Sequence, residues 1–124
     1  MSSLSSAWLG LATNDSDDNW AAWYQVGSVR TVSSYDKLIA TARCVTAPAS
    51  GSVSIKLQHS ADYGSVETAN WEDLIAFDTF TIIGQDTQSA DNFHSYIRLV
   101  AKCSDAAQTP VISVYIREKQ IGAD

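Results

Sequence analysis

The sequence predicts an all-β domain, an antiparallel β-sandwich of the jelly-roll or immunoglobulin-like type with six to eight strands. Apolar and polar residues alternate with a period of two along much of the chain, which is typical of strands buried on one face. Connectors rich in Gly, Asp, Asn, Ser and Pro separate these segments, and such residues favour turns. No long segment carries a helical period. Short strands between regular turn signals are typical of sandwiches and jelly rolls.

The individual strands follow from the alternation. It is clearest in four segments: 37–45, 52–59, 95–102 and 111–117. In the second of these, Val53, Ile55 and Leu57 are predicted to face the core, and Gln58 the solvent. The apolar segments around Trp20 and Ala76 predict two further strands, and residues 7–13 a weaker one. The polar segment 84–92, GQDTQSADN, is interpreted as a connector.

The chain length predicts one domain, because 124 residues can bury a sizeable core. We assign residues 20–124 to the sandwich and residues 1–19 to an N-terminal arm or an edge strand. The arm has no basic residue and alternates only weakly, so it has little reason to fold alone. We expect four of its large apolar residues to dock on a sister subunit or on another partner, with an edge strand of the same sandwich as the alternative. These residues are Leu4, Trp8, Leu9 and Leu11.

Charge and cysteine usage exclude several classes of function. The net charge is −6, from 14 acids and 8 bases, and the bases are scattered singly. Nucleic acid is therefore a poor partner, since phosphate binding needs a concentrated basic surface. No apolar run approaches the ~18 residues of a membrane span, and the N-terminus lacks the basic residues of a secretory signal. Cys44 and Cys103 are predicted to be free buried thiols, with a disulfide as the second interpretation.

A catalytic site is suggested by His59, Ser60 and Asp62, since acyl transfer uses these residue types. Consecutive residues in a strand point to opposite faces, so His59 and Ser60 cannot pair there. Asp62 precedes Tyr-Gly and is predicted to accept hydrogen bonds from backbone N–H groups of the turn. No nucleophile elbow of the form G-x-S-x-G is present. The sequence therefore predicts no catalytic residue and no enzyme.

Metal and cofactor sites are not predicted either. The acidic segment 14–19, NDSDDN, lacks the glycine and glutamate that a calcium loop of the EF-hand type requires, so we interpret it as a solvated loop, with another cation site as the alternative. His59 and His94 could share a metal only if the fold joined them, and lone histidines are more often structural or surface residues.

The aromatic residues leave two interpretations open. The chain has 4 tryptophans and 5 tyrosines, and flat rings can stack on sugars. Trp20 and Trp23 are three residues apart, so a strand would place them on opposite faces. We favour a role in the core and at a subunit interface, and Trp20 and Trp23 join the arm residues as candidates for that interface.

The order of the motifs carries a family resemblance. The segment GSVSIKLQHSAD (51–62) is followed by Trp71 with Asp73 nearby, by the strand YIRL (96–99), and by the closing strand PVISVYI (110–116). Across Leu38 to Lys119 this order resembles small tailed-bacteriophage virion proteins of the capsid decoration (cement) or head-accessory type.

The resemblance implies a non-enzymatic structural protein that binds the outside of the major capsid lattice and stabilises the head. It implies a homo-oligomer, with a trimer favoured over a dimer, made in the host bacterial cytoplasm and located on the capsid exterior of the virion. The major capsid protein would be its partner, with no nucleic acid or membrane contact. A head-completion or tail-associated virion protein is one alternative. A carbohydrate-binding β-sandwich module is another, and it would require two or more coplanar exposed rings.

Overall fold

The computed structural model describes residues 9–13, 20, 22–32, 37–61, 71–105 and 108–119, with the backbone alone for 9–13 and 119. This part of the chain is all-β, which confirms the predicted fold class. It contains eight strands: β1 (Leu9–Thr13), β2 (Tyr24–Thr31), β3 (Lys37–Thr46), β4 (Val53–Ser60), β5 (Glu72–Ala76), β6 (Gly84–Asp91), β7 (Tyr96–Cys103) and β8 (Val111–Lys119). The four strands with clear alternation match the predicted segments to within two residues at each end. The segment interpreted as a connector is strand β6, so that prediction was wrong.

The strands form two antiparallel sheets of four strands each. Sheet I has the order β1-β8-β3-β6, and sheet II has the order β2-β7-β4-β5. The chain crosses between the sheets at nearly every connection, and strands distant in sequence become neighbours. Eight strands arranged in this way form a jelly roll, which decides between the two predicted sandwich types.

The core lies between the two sheets, and its residues are the inward positions predicted from the alternation. Each side chain of this set is at most 2% exposed: Leu38, Ala40, Ala42, Cys44, Val53, Ile55, Leu57, Ile97, Leu99, Ala101, Cys103, Ile112, Val114 and Ile116. Burying one of the larger aliphatic side chains contributes about 1.5–3 kcal/mol, so this layer is the main source of stability. Cys44 and Cys103 are free and buried, as the sequence favours.

The described part of the N-terminal segment is an edge strand. β1 pairs antiparallel with β8, with Leu9 opposite Val114 and Thr13 opposite Val111. The backbone of Leu9 and Leu11 therefore belongs to the protein's own sandwich, the alternative that the sequence left open. Leu4, Trp8, Asp62 and the acidic segment 14–19 lie outside the described residues. The described residues include no helix long and apolar enough to span a membrane.

One ion pair joins the two sheets from inside. Glu118 of β8 is 1% exposed and receives Nε and Nη2 of Arg30 from β2. Glu118 stands opposite Leu38 and Arg30 opposite Ile97, both inward-facing positions. A buried carboxylate costs several kcal/mol unless it is paired, so this pair fixes how sheets I and II meet at that end.

Candidate functional site

The outer face of sheet II carries a row of polar side chains that the strand order brings together. Alternation turns Lys56 and Gln58 of β4 outwards, away from the core. Gln58 stands opposite Arg98 of β7 on one side and opposite Asp73 of β5 on the other. Directly opposite residues have Cβ atoms about 4.5–5.5 Å apart. Four outward side chains from three strands can therefore reach one another.

Hydrogen bonds connect this row from one end to the other. Arg98 Nε donates to Gln58 Oε1 at 2.8 Å, and Gln58 Nε2 donates to Asp73 Oδ1 at 2.9 Å. Lys56 Nζ lies 3.2 Å from Asp73 Oδ2 and 3.1 Å from Oδ1. The amide of Gln58 thus uses its acceptor on a cation and its donor on an anion, which fixes its orientation.

A tryptophan lies against the cation at each end of the row. Lys56 Nζ lies 4.1 Å from the centroid of the Trp23 ring. Arg98 Cζ lies 4.7 Å from the centroid of the Trp71 ring. Cations within about 6 Å of an aromatic face are attracted to it. The two rings are therefore held in place by groups that the hydrogen-bonded row already orders. We call these six residues the tryptophan–cation face: Trp23, Lys56, Gln58, Trp71, Asp73 and Arg98.

Exposure and charge show how the tryptophan–cation face is built. Val100 is 1% exposed although it lies opposite Lys56 and outside the core cluster, so the outer face of sheet II is covered at this point. Trp23 is 42% exposed, and Trp71 is half-buried. The hydrogen bond from Gln58 lowers the pKa of Asp73, assisted by Lys56 and opposed by desolvation. Burial lowers the pKa of Arg98. The carboxylate offsets one of the two cations, so the row keeps a positive charge on an acidic protein.

Trp20 and Trp23, which were both predicted to lie at an interface, differ in burial. Trp23 is exposed and belongs to the tryptophan–cation face. Trp20 is 1% exposed and its carbonyl accepts a hydrogen bond from the Cys103 N–H at 2.7 Å, so it is a core residue and offers no surface. The other five members of the face were not predicted as a site. The outward positions of Lys56, Gln58 and Arg98 are readable from alternation, but their meeting depends on the strand order.

The sequence argues against a hydrolytic site at His59, Ser60 and Asp62, and the structure describes the first two of these residues and not Asp62. His59 is half-buried, and Ser60 is 0% exposed. They occupy consecutive positions of regular strand β4, which pairs with β7 without interruption, so their side chains point to opposite faces. Non-covalent recognition is the chemistry that the tryptophan–cation face offers.

A second cluster contains both histidines of the chain. The ring centroids of His59 and His94 are 4.7 Å apart, and the backbone N–H of His94 donates to Nδ1 of His59 at 3.1 Å. Nε2 of His59 lies 4.0 Å from Oε1 of Glu72. Burial, and then the neighbouring His94, lower the pKa of His59, against a smaller opposite effect of Glu72. The fold therefore meets the condition under which the two histidines could share a metal.

Comparison with known proteins supports the fold alone. No known family model matches the sequence, and no curated protein matches it. Among solved structures, the chain is similar to one of the disulfide-linked pili formed by Bacillus endospore appendages, with a TM-score of 0.52 and 12% identity over 97% of this chain and 91% of that chain. It is also similar to the TNF protein Eiger from S. frugiperda, with a TM-score of 0.48 and 14% identity over 98% of this chain and 95% of that chain. A third similar structure is the xylan-binding CBM22-1 domain of Paenibacillus barcinonensis Xyn10C, with a TM-score of 0.48 and 9% identity over 94% of this chain and 97% of that chain.

Proposed function

We propose that the chain is a non-enzymatic structural protein of a tailed-bacteriophage virion, a capsid decoration protein that binds the outside of the major capsid lattice as a homo-oligomer. The tryptophan–cation face is its contact surface. The observation that carries the choice of surface is the continuous row from Trp23 through Lys56, Asp73, Gln58 and Arg98 to Trp71. The resemblance of Leu38 to Lys119 to virion proteins supports the choice of partner.

The composition of this face suits a protein partner. Binding energy at interfaces is concentrated in a few Trp, Tyr and Arg residues. Ordering a flexible side chain on binding costs about 0.5–1.5 kcal/mol, and Lys56 and Arg98 are already ordered by their partners. Each contact can be modest, because an oligomer that contacts several capsid subunits gains affinity through multivalency.

The test is binding to purified heads of the phage that encodes the chain. Wild-type protein is expected to decorate expanded, DNA-filled heads and not unexpanded ones. The double variant W23A/W71A should lose occupancy. Y115A is the matched control, because Tyr115 is 43% exposed, Trp23 is 42% exposed, and Tyr115 lies on the outer face of sheet I. Equal binding by all three proteins would refute the assignment of the face. Binding to necks or tails alone would favour the head-completion or tail-associated alternative.

A carbohydrate-binding module is the second candidate, because two tryptophans lie on one sheet face with hydrogen-bonding groups between them. A cation lies against each ring, and Trp23, at 42% exposure, offers surface for stacking. Only Trp23 is well exposed, which favours a protein partner over a two-ring sugar platform. Affinity electrophoresis in gels containing soluble polysaccharides separates the candidates. Retardation that W23A abolishes and Y115A preserves would favour the sugar-binding candidate.

A further inference from the structure

The two histidines of the chain meet at one end of sheet II although 35 residues separate them. His59 comes from the end of β4, Glu72 from the start of β5, and His94 from the turn between β6 and β7. One ligand atom from each of the three side chains lies within 4.8 Å of the other two. Three potential ligands from three separate elements therefore converge on one point. This cluster takes no part in the tryptophan–cation face.

We propose that His59, Glu72 and His94 form a binding site for a divalent transition metal of the zinc class. Imidazole nitrogens and a carboxylate oxygen are the donors that zinc takes in proteins, and two histidines with one glutamate leave a fourth position for water. Calcium and magnesium prefer six or more oxygen ligands, and the cluster has one carboxylate. The donor set therefore selects borderline metals over hard ones. The proposal is independent of the function proposed above.

The strand pairing places two of the ligands side by side. His59 stands directly opposite Glu72 in the register of β4 and β5. The His59 side chain is 12% exposed and the Glu72 side chain is 72% exposed, so one ligand is held by packing and the other is free to adjust. His94 is exposed and lies two residues after Asn92, which adopts a φ of 56° in the turn between β6 and β7. An ion can reach the cluster from solvent on the side of Glu72 and His94.

Metal binding must break the hydrogen bond that the backbone N–H of His94 donates to Nδ1 of His59. Nδ1 of His59 accepts the His94 N–H, so the neutral ring carries its proton on Nε2, the nitrogen nearer Glu72. A metal on Nε2 replaces that proton, and the ring stays neutral by taking a proton on Nδ1. Nδ1 then donates instead of accepting, and the bond from the His94 N–H must break. The number of protons on His59 is therefore unchanged. Metal binding should therefore displace the turn at residues 92–95.

The proposal is tested by titrating chelator-treated full chain with zinc chloride at pH 7.5 in a calorimeter. One ion per chain is expected. H94A and E72Q should each weaken binding by more than about tenfold, since even outer partners of metal ligands contribute 10–100-fold. Both side chains are exposed, so these variants should keep the wild-type circular dichroism, and H94A keeps the backbone donor to His59. D78N, which neutralises an exposed aspartate elsewhere, is the matched control and should bind like wild type.

A spectroscopic signature separates this site from adventitious zinc binding. In ¹H–¹⁵N spectra, zinc should shift the backbone amide of His94 strongly as its hydrogen bond breaks, and H94A should lose the response of the neighbouring turn amides. Absence of binding would overturn the proposal. So would binding that H94A and E72Q leave unchanged, or zinc binding with an unperturbed His94 amide.

Discussion

The two outer faces of the sandwich follow the same strand alternation and differ in how their side chains are held. On sheet I, Tyr115 and Thr87 stand on either side of Thr41, and a hydrogen bond of 2.8 Å joins the Thr41 and Thr87 hydroxyls. On sheet II, the row from Arg98 to Lys56 joins four side chains and fixes two tryptophans. Among the described residues, the cation–aromatic contacts are confined to sheet II. The difference between the faces is therefore that the tryptophans of sheet II lie against ordered cations.

The largest expected change in the free energy of unfolding comes from the ion pair between Arg30 and Glu118, which joins the two sheets. R30A removes the cation and leaves the carboxylate of Glu118, which is 1% exposed, without it, and breaking a buried pair in this way costs about 3–5 kcal/mol. The free energy of unfolding should fall by that amount in urea titrations. E72A, which removes an exposed carboxylate, should change it by less than about 0.5 kcal/mol. A double variant with apolar residues at positions 30 and 118 should recover much of the loss, and a loss as small as that of E72A would contradict the role of the pair.

Removing the Gln58 side chain from sheet II should lower the free energy of unfolding more than removing the Thr41 hydroxyl from sheet I. Q58A deletes two hydrogen bonds to charged partners, and such bonds contribute up to about 1.5–3 kcal/mol each to the free energy of unfolding. Because Asp73 is exposed, we expect a total loss of about 1–3 kcal/mol. T41V deletes one neutral hydroxyl bond, worth about 0.5–1.5 kcal/mol. Urea unfolding of both variants makes the comparison. Equal losses would mean that the row adds no stability beyond an ordinary surface hydrogen bond.

A smaller effect should appear in the coupling of Trp23 with Lys56. A double-mutant cycle with W23A and K56A should give a coupling free energy of about 0.5–1 kcal/mol, as expected for an exposed cation–aromatic pair. The same cycle with Y115A and R117A on sheet I serves as the control, and it should give a value near zero. A coupling on sheet I as large as that on sheet II would remove the distinction between the two faces.

The smallest effect concerns the pKa of Asp73. Gln58 lowers it by donating a hydrogen bond to the carboxylate, so Q58A should raise the pKa of Asp73 towards its ordinary value in a ¹³C carboxylate titration. A depressed pKa contributes stability above the unfolded-state pKa that is lost as the pH falls through the folded-state value. The stability difference between wild type and Q58A should therefore shrink in acid. An unchanged Asp73 titration in Q58A would show that Lys56 alone holds the carboxylate.

The sequence predicts the core strands well because residue type and burial agree in them. In β3, β4, β7 and β8 one face is apolar and the other polar, so alternation locates both the strand and its inward side. Alternation misses β6 because Gly84–Asp91 is an edge strand, which among the described strands pairs with β3 alone. Its exposure alternates, but its residues are polar on both faces, and pairing with a long neighbour overrides the turn propensity of GQDTQSADN.

The candidate sites are less predictable because they depend on which strands become neighbours. Gln58 meets Arg98 and Asp73 because β4 lies between β7 and β5, an order that no local pattern encodes. From the sequence, His59 and His94 could share a metal only if the fold brought them together, and the turn after β6 places His94 beside His59. Trp20 is buried and Trp23 is exposed, but β2 begins only at Tyr24, so the strand alternation that predicted opposite faces for them is not the cause of this difference.

Hydroxyl-radical footprinting of head-bound protein can show which outer face contacts the head, because it compares the two faces in one sample. Free protein and protein bound to expanded heads are oxidised under matched conditions, and modification of each aromatic residue is quantified by mass spectrometry. The account predicts that Trp23 becomes protected on the heads while Tyr115, equally exposed in the free protein, stays as reactive as before. Protection of Tyr115 with Trp23 unchanged would contradict it.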